Sequence, residues 1–106
     1  MVSLKRIDEV KNGKRKITKG EFDRLMVRGW KEHKKGYTKC VFRSGNNHMC
    51  AIGVVIDELG RGHEPAWQVA RQILPDSMWG KIADTSNDAG NKTAAIRAVK
   101  ALQWEE

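Results

Sequence analysis

One long apolar segment constrains the fold of this chain more than any other feature. Between His48 and Leu59 nearly every residue is apolar, and the segment stops at the glycines of residues 60–62. Because it has so few polar positions, the segment must lie in a core. A cap at Asn47 and a stop at Gly60 favour a buried helix, while the β-branched content keeps a strand open as the alternative.

The rest of the chain predicts amphipathic helices that pack around this segment. Thr18 and Glu21 form a capping-box pattern, and the helix that they open carries Trp30 on its apolar stripe. Other periodic segments predict helices over residues 4–10, 65–74, 76–82 and 92–104, with a loop over residues 85–90. Residues 36–43 alternate loosely and favour a strand.

These segments together predict the class of fold. A chain of 106 residues fits one domain and can bury a core without disulfides. We expect a mainly α (α+β), compact single domain of four to five helices, with one short extended or hairpin segment near residues 37–43. The basic N-terminal segment, residues 1–17, is a candidate for the periphery of that domain.

Positive charge is concentrated in the first part of the chain. The net charge is +7, and residues 1–43 hold fourteen Lys or Arg against five Asp or Glu, whereas residues 44–106 hold six against eight. Clustered cations attract phosphate through long-range fields and counterion release. The asymmetry therefore predicts an acidic partner, which is nucleic acid, a nucleotide-type ligand or an acidic host protein. A solvated face that keeps the protein in solution is the alternative.

Nine residues of this basic region are the candidates for contact with a polyanion. They are Lys14, Arg15, Lys16, Arg24, Arg28, Lys31, Lys34, Lys35 and Tyr37. Tyr37 is the candidate for stacking, because Trp30 lies on the apolar stripe of its helix and belongs to the predicted core. The sequence contains none of the motifs of the named nucleic-acid-binding modules.

Cys50 is the candidate nucleophile. At the start of a helix the positive end of the helix dipole lowers the pKa of a thiol. The base can be His48, His33 or His63, and the orienting group Asn87 or Asp88. The neighbours of Cys50 are those of a packed core cysteine, and this is the favoured interpretation. No catalytic residue is therefore assigned, and a cysteine- or zinc-dependent hydrolase centred on Cys50 stays as an alternative function.

Four residues are the candidate metal ligands. Cys40, His48, Cys50 and His63 are of the residue types that form tetrahedral zinc sites. Their separations by seven, one and twelve residues do not match the paired ligands of known zinc modules. We therefore expect no metal and no cofactor.

The sequence also predicts a compartment. Its N-terminus lacks the apolar run of a secretory signal, and no segment approaches the roughly 20 apolar residues of a membrane span. With only two cysteines, a reducing cytoplasm is the simplest expectation. We therefore expect a cytoplasmic protein without a membrane partner.

Three short motifs between residues 20 and 102 form a recognisable set. They are Gly29-Trp30-Lys31, Cys50-Ala51-Ile52-Gly53-Val54, and Ser86-Asn87-Asp88 before a final amphipathic helix. The set resembles a loose family of small uncharacterised phage and bacterial proteins with a Gly-Trp, a Cys-Ala-Ile/Leu-Gly-Ala helix and an Asn-Asp turn. The chain departs from that family at Val54, where Ala is usual, and in its basic start. The resemblance implies a phage-encoded protein of the host cytoplasm and transfers no site residue.

Charge and resemblance together predict a small, non-enzymatic accessory or counter-defence protein that binds an acidic partner. A structural or oligomeric interaction module is a second alternative, because Trp67, Trp79 and Trp104 are not all assigned to the core. That alternative implies a homo-oligomer.

Overall fold

Six α-helices make up most of the part of the chain that the structure describes. The computed structural model of the protein describes residues 4–37 and 48–104. Its helices are α1 (Leu4–Lys11), α2 (Lys19–Val27), α3 (Ala51–Glu58), α4 (Ala66–Ile73), α5 (Trp79–Ala89) and α6 (Lys92–Lys100). The mainly helical class of fold is confirmed, with six helices in the described residues where four to five were predicted. None of the described helices is both long enough and apolar enough to cross a membrane.

Helix α3 lies at the centre of the fold. Residues 51–56 are all buried, and the helix packs against α2, α4, α5 and α6. The long apolar segment is therefore a buried helix over residues 51–58, and only His48–Met49 at its start form a short strand. Gly60 follows the helix with a φ of 80°, as the predicted stop requires, because glycine adopts this left-handed conformation without strain.

The start of α3 is held by another helix. The backbone N–H of Ala51 donates to Oγ of Ser86 on α5 over 3.0 Å. Cys50 occupies the N-cap position, and the predicted cap, Asn47, lies outside the described residues. A contact between distant segments thus satisfies one of the N–H groups that a helix start leaves without a partner.

Helix α2 begins at the predicted capping box. Thr18 Oγ1 accepts a hydrogen bond from the N–H of Glu21 over 3.2 Å, and Glu21 Oε1 accepts one from the N–H of Thr18 over 2.9 Å. A π-helical turn, Arg28–Glu32, continues the helix. Trp30 in this turn is 1% exposed, so its predicted place in the core is confirmed.

Two short strands lie beside this helical core. β1 (Gly36–Tyr37) pairs in parallel with β2 (His48–Met49), with Tyr37 opposite Met49. The described pair is therefore parallel and not the antiparallel pair of a hairpin. Apart from Tyr37, the predicted extended or hairpin segment near residues 37–43 lies outside the described residues.

Helix α5 extends through the segment that is predicted to be a loop. It continues to Ala89 and ends at Gly90, whose φ is 86°. Thr, Ser, Asn and Asp side chains favour loops when only local contacts are considered. Here the hydroxyl of Tyr37 donates to the carbonyl oxygens of Ser86 and Asn87, and this distant contact supports the last turn of the helix.

The basic N-terminal segment contributes to the core. Val10 of α1 is fully buried, and Ile17 is 2% exposed. The N–H of Ile17 donates to the carbonyl oxygen of Ile73 at the end of α4 over 2.6 Å. The described part of residues 1–17 therefore packs on the domain through these side chains.

Candidate polyanion-binding site

Glu58, at the end of α3, gathers basic side chains from the π-helical turn and the residues that follow it. Its carboxylate hydrogen-bonds to Arg28 Nε and His33 Nδ1, each over 2.8 Å, and to Lys35 Nζ. Lys35 also pairs with Asp57 over 2.9 Å. The side chain of Glu58 is 3% exposed, and the cluster joins the π-helical turn and the residues after it to the end of α3.

The cluster keeps Glu58 charged. Burial alone would raise the pKa of Glu58, but the hydrogen bonds from Lys35, His33 and Arg28 hold it at about 2. Burial lowers the pKa of Lys35, yet its hydrogen bonds to Glu58 and Asp57 give a net raised pKa. Arg28 and Lys35 were both predicted to bind a polyanion. In the structure they form ion pairs with carboxylates from the second part of the chain.

Arg15 forms a second internal ion pair. Its guanidinium donates to both carboxylate oxygens of Glu21, over 2.9 and 2.7 Å, and Glu21 is 4% exposed. This hydrogen bonding lowers the pKa of Glu21 to about 2, although burial opposes the shift. Arg15 is therefore the partner of a buried helix-capping carboxylate. The sequence pattern did not indicate this role, because the burial of Glu21 depends on how the helices pack.

Five of the eight predicted cations are exposed and contact no carboxylate of the described residues. They are Lys14, Lys16, Arg24, Lys31 and Lys34. Lys16 Nζ donates to the carbonyl oxygen of Arg71 over 2.6 Å, a contact that does not neutralise its positive charge. These five side chains, called the exposed cations below, are what remains of the predicted binding site.

Tyr37 does not offer its ring for stacking on a base. Its ring packs against that of Trp30, with centroids 5.9 Å apart and planes tilted by 47°. Its hydroxyl donates to carbonyl oxygens at the end of α5 and accepts a hydrogen bond from the N–H of Gly90 over 3.2 Å. The ring and the hydroxyl of Tyr37 therefore both make contacts within the protein.

Cys50 is 3% exposed. Burial raises the pKa of its thiol, and the opposing hydrogen bonds from the N–H groups of Gly53 and Ile52 do not offset this. The predicted lowering of the thiol pKa at the helix start is wrong, because the loss of hydration outweighs it. Asp88 is exposed, and Ser86 is the residue of α5 that hydrogen-bonds the start of α3.

The candidate metal ligands are only partly described. Cys40 and the side chain of His48 lie outside the described residues. His63 is exposed and lies 3.9 Å from a carboxylate oxygen of Glu64. Among the side chains that the structure describes, no group of three or more His, Cys, Asp or Glu is arranged to hold a metal ion.

An open groove, called the tryptophan groove below, runs between α4 and the start of α5. Trp67 is 54% exposed and Trp79 is 40% exposed. Together with Ala70, Arg71 and Asp76 they line a groove of about 310 Å³. Aromatic surface meets a few charged groups here, which is the composition typical of ligand sites.

The angular position of Trp67 on α4 explains its exposure. Val69, Ala70 and Ile73 form the buried stripe of this helix. Trp67 lies about 200° around the helix axis from Val69, so its ring cannot share the centre of that stripe. That angle was the sequence signal for an exposed aromatic. Trp104, in contrast, is half-buried and packs against Phe22, with ring centroids 5.6 Å apart.

Fold and site together define a mainly helical domain that carries exposed cations and an open aromatic groove. Comparison with family models, with curated proteins and with solved structures gives no match. The resemblance to small phage and bacterial proteins therefore stays a prediction.

Proposed function

We propose that the protein is a non-enzymatic nucleic-acid-binding protein that contacts the phosphate backbone through the exposed cations. The observation that supports this most directly is that these five side chains contact no carboxylate of the described residues. Phosphate contacts require positive charge at the surface and no preformed pocket. Nucleic acid is favoured over other acidic partners because its regularly repeated phosphates can meet cations spread over α2, the π-helical turn and the segments beside them.

The proposed biological role is that of an accessory or counter-defence protein, phage-encoded and acting in the host cytoplasm. This part of the proposal rests on the resemblance of the three motifs. The net charge of +7 supports only the binding of polyanions, because such a charge accelerates association with them.

A hydrolase centred on Cys50 has less support. The thiolate is the reactive form of cysteine, and burial raises the pKa of this thiol. Asp88, one of the candidate orienting groups, makes no contact with α3 among the described hydrogen bonds, and Ser86 is the residue of α5 that binds the start of α3.

The salt dependence of binding tests the proposed function. Affinity for a nucleic acid of mixed sequence, measured by fluorescence anisotropy, should fall steeply between about 50 mM and about 200 mM salt. The double variant Arg24→Gln/Lys31→Gln should weaken binding. It should also flatten the plot of log K against log salt by about 0.7–0.9 for every phosphate that the variant no longer neutralises.

The matched control is Arg97→Gln/Lys100→Gln, which removes the same charge from the exposed surface of α6. This control should change the slope less than the test variant does. Binding that is insensitive to salt, or the absence of binding at low salt, contradicts the proposal. Equal effects of the two double variants would show that net charge, and not the exposed cations, governs binding.

A further inference from the structure

We infer that the tryptophan groove holds one base of a single-stranded nucleic acid. The inference deepens the proposed function and rests on it. Phosphate contacts alone do not distinguish a single strand from a duplex, whereas a groove that accepts an unpaired base does.

The two indoles of the groove are the first argument. Phe22 and Trp30 are at most 1% exposed, whereas Trp67 and Trp79 are 54% and 40% exposed. Exposed aromatic faces beside a groove are stacking platforms for bases, because every base has a π face. A volume of about 310 Å³ is at the small end of the range for ligand sites, about 300–1,000 Å³, and suits a single planar ring system.

The positive charge beside the groove is the second argument. Arg71 lines the groove, and its carbonyl oxygen accepts a hydrogen bond from Lys16 Nζ over 2.6 Å. The next residue, Ile17, donates its N–H to Ile73 over 2.6 Å, so the basic loop is attached to the end of α4. Arg71 at the groove, with Lys16 hydrogen-bonded to its backbone, therefore supplies positive charge for the phosphate of a bound base.

Asp76 supplies an acceptor for the base itself. This exposed residue lines the groove, and an ionised carboxylate can only accept hydrogen bonds. An unpaired base offers N–H donors on its Watson–Crick edge, whereas in a duplex these donors are used in pairing. Repulsion by the carboxylate also directs the phosphate towards Arg71 and Lys16.

Comparison of a single strand with the duplex of the same sequence tests the inference. Wild-type protein should bind a single strand of about 12 nucleotides roughly tenfold more tightly than the duplex. Trp67→Leu/Trp79→Leu keeps both positions apolar and removes the π faces. This variant should bind the single strand about tenfold more weakly, with duplex affinity and salt slope unchanged, because stacking releases no counterions.

Two further variants separate stacking from charge and from loss of structure. Trp67→Phe/Trp79→Phe retains aromatic faces and should retain most of the preference for the single strand. Arg71→Gln should weaken binding and flatten the salt slope, whereas its matched control Arg97→Gln should not. A cooperative thermal unfolding transition for each variant shows that the variant is folded.

The outcomes distinguish this inference from the function on which it rests. If the Leu variant binds the single strand as wild type does, the groove holds no base, while the salt test of the exposed cations still stands. If wild type binds neither form, the proposed function itself is wrong. If wild type self-associates in sedimentation and the Leu variant does not, with unchanged binding of nucleic acid, the occupant is a second copy and the inference is overturned.

Discussion

Buried carboxylates determine which cations of this protein face a partner. Glu21 and Glu58 lie inside the fold, and each binds basic side chains: Arg15 in the first case, Arg28 and Lys35 in the second. A buried charge requires such partners, because the loss of hydration is otherwise unfavourable. In these pairs the carboxylate offsets positive charge that would otherwise attract an external polyanion.

Removal of the Glu58 charge should destabilise the protein. Glu58→Gln keeps the shape of the side chain and removes the charge that binds Arg28, His33 and Lys35. We expect the free energy of unfolding, measured in urea at neutral pH, to fall by about 1.5–3 kcal/mol. The lower part of that range is favoured because Arg28 and His33 are exposed to solvent.

The control for this variant is Glu32→Gln, which removes an exposed carboxylate from the π-helical turn. It should change the free energy of unfolding by less than about 0.5 kcal/mol. A similar effect of both substitutions would contradict a stabilising role for the Glu58 cluster.

At the scale of elements, the three family-like motifs meet where other elements pack on α3. Gly29 lies against Val54, Trp30 is buried in the same turn, and Ser86 binds the N–H of Ala51. These residues hold the central helix in place, and none of them lines the tryptophan groove. The motifs therefore contribute to the packing on α3, whereas the candidate ligand site is lined by residues outside them.

Gly29→Ala should destabilise the contact between the π-helical turn and α3. A Cβ at residue 29 would overlap Cγ1 of Val54, so one element has to move. We expect a loss of about 1–3 kcal/mol in the free energy of unfolding, measured by denaturation in urea. Val54→Ala removes the overlapping atom, so the double variant should be less destabilised than the sum of the two single variants.

Gly20→Ala on α2 is the matched control. A Cβ there meets nothing within 4 Å, and alanine favours a helix more than glycine does. The control should therefore be neutral or stabilising. Strict additivity of Gly29→Ala and Val54→Ala would show that the two positions do not interact.

Across the whole molecule, the positive first part of the chain packs partly on carboxylates of the second. Asp57 and Glu58 belong to the half with the negative balance, and they bind Arg28, His33 and Lys35 from the basic half. The excess positive charge that remains belongs largely to exposed side chains. This division makes the folded state dependent on ionised carboxylates.

The stability of the whole protein should fall as the pH decreases from about 4.5 to about 2. The pKa values of Glu21 and Glu58 are about 2 in the folded state, below their ordinary value of 4.5. A carboxyl with a lowered folded pKa contributes stability that is complete above the unfolded pKa and is lost as the pH falls through the folded one. The free energy of unfolding in urea, measured at several pH values, should show this decline.

Glu21→Gln and Glu58→Gln should each flatten the decline, because the substituted position no longer titrates. The control Glu32→Gln should show the same pH dependence of the free energy of unfolding as the wild type. A wild-type stability that is constant across this range would contradict the internal role of the two carboxylates.

The sequence by itself determined the features that depend on neighbouring residues. The capping box of α2, the stop at Gly60 and the place of Trp30 in the core follow from local hydrogen bonds and helical periodicity. These also determine the mainly helical class. The apolar run from His48 to Leu59 required burial, although periodicity alone left its helix open to the alternative of a strand.

Only the tertiary structure decided which side chains remain at the surface. Arg28 and Glu58 are 30 residues apart, and Tyr37 is 49 residues from Ser86, the residue whose carbonyl it binds in α5. Contacts over such separations depend on how the helices pack around α3, so the periodicity of the sequence does not predict them. Packing therefore left five of the eight predicted cations exposed and without a carboxylate contact among the described residues, and it left Trp67 and Trp79 at the edge of an open groove.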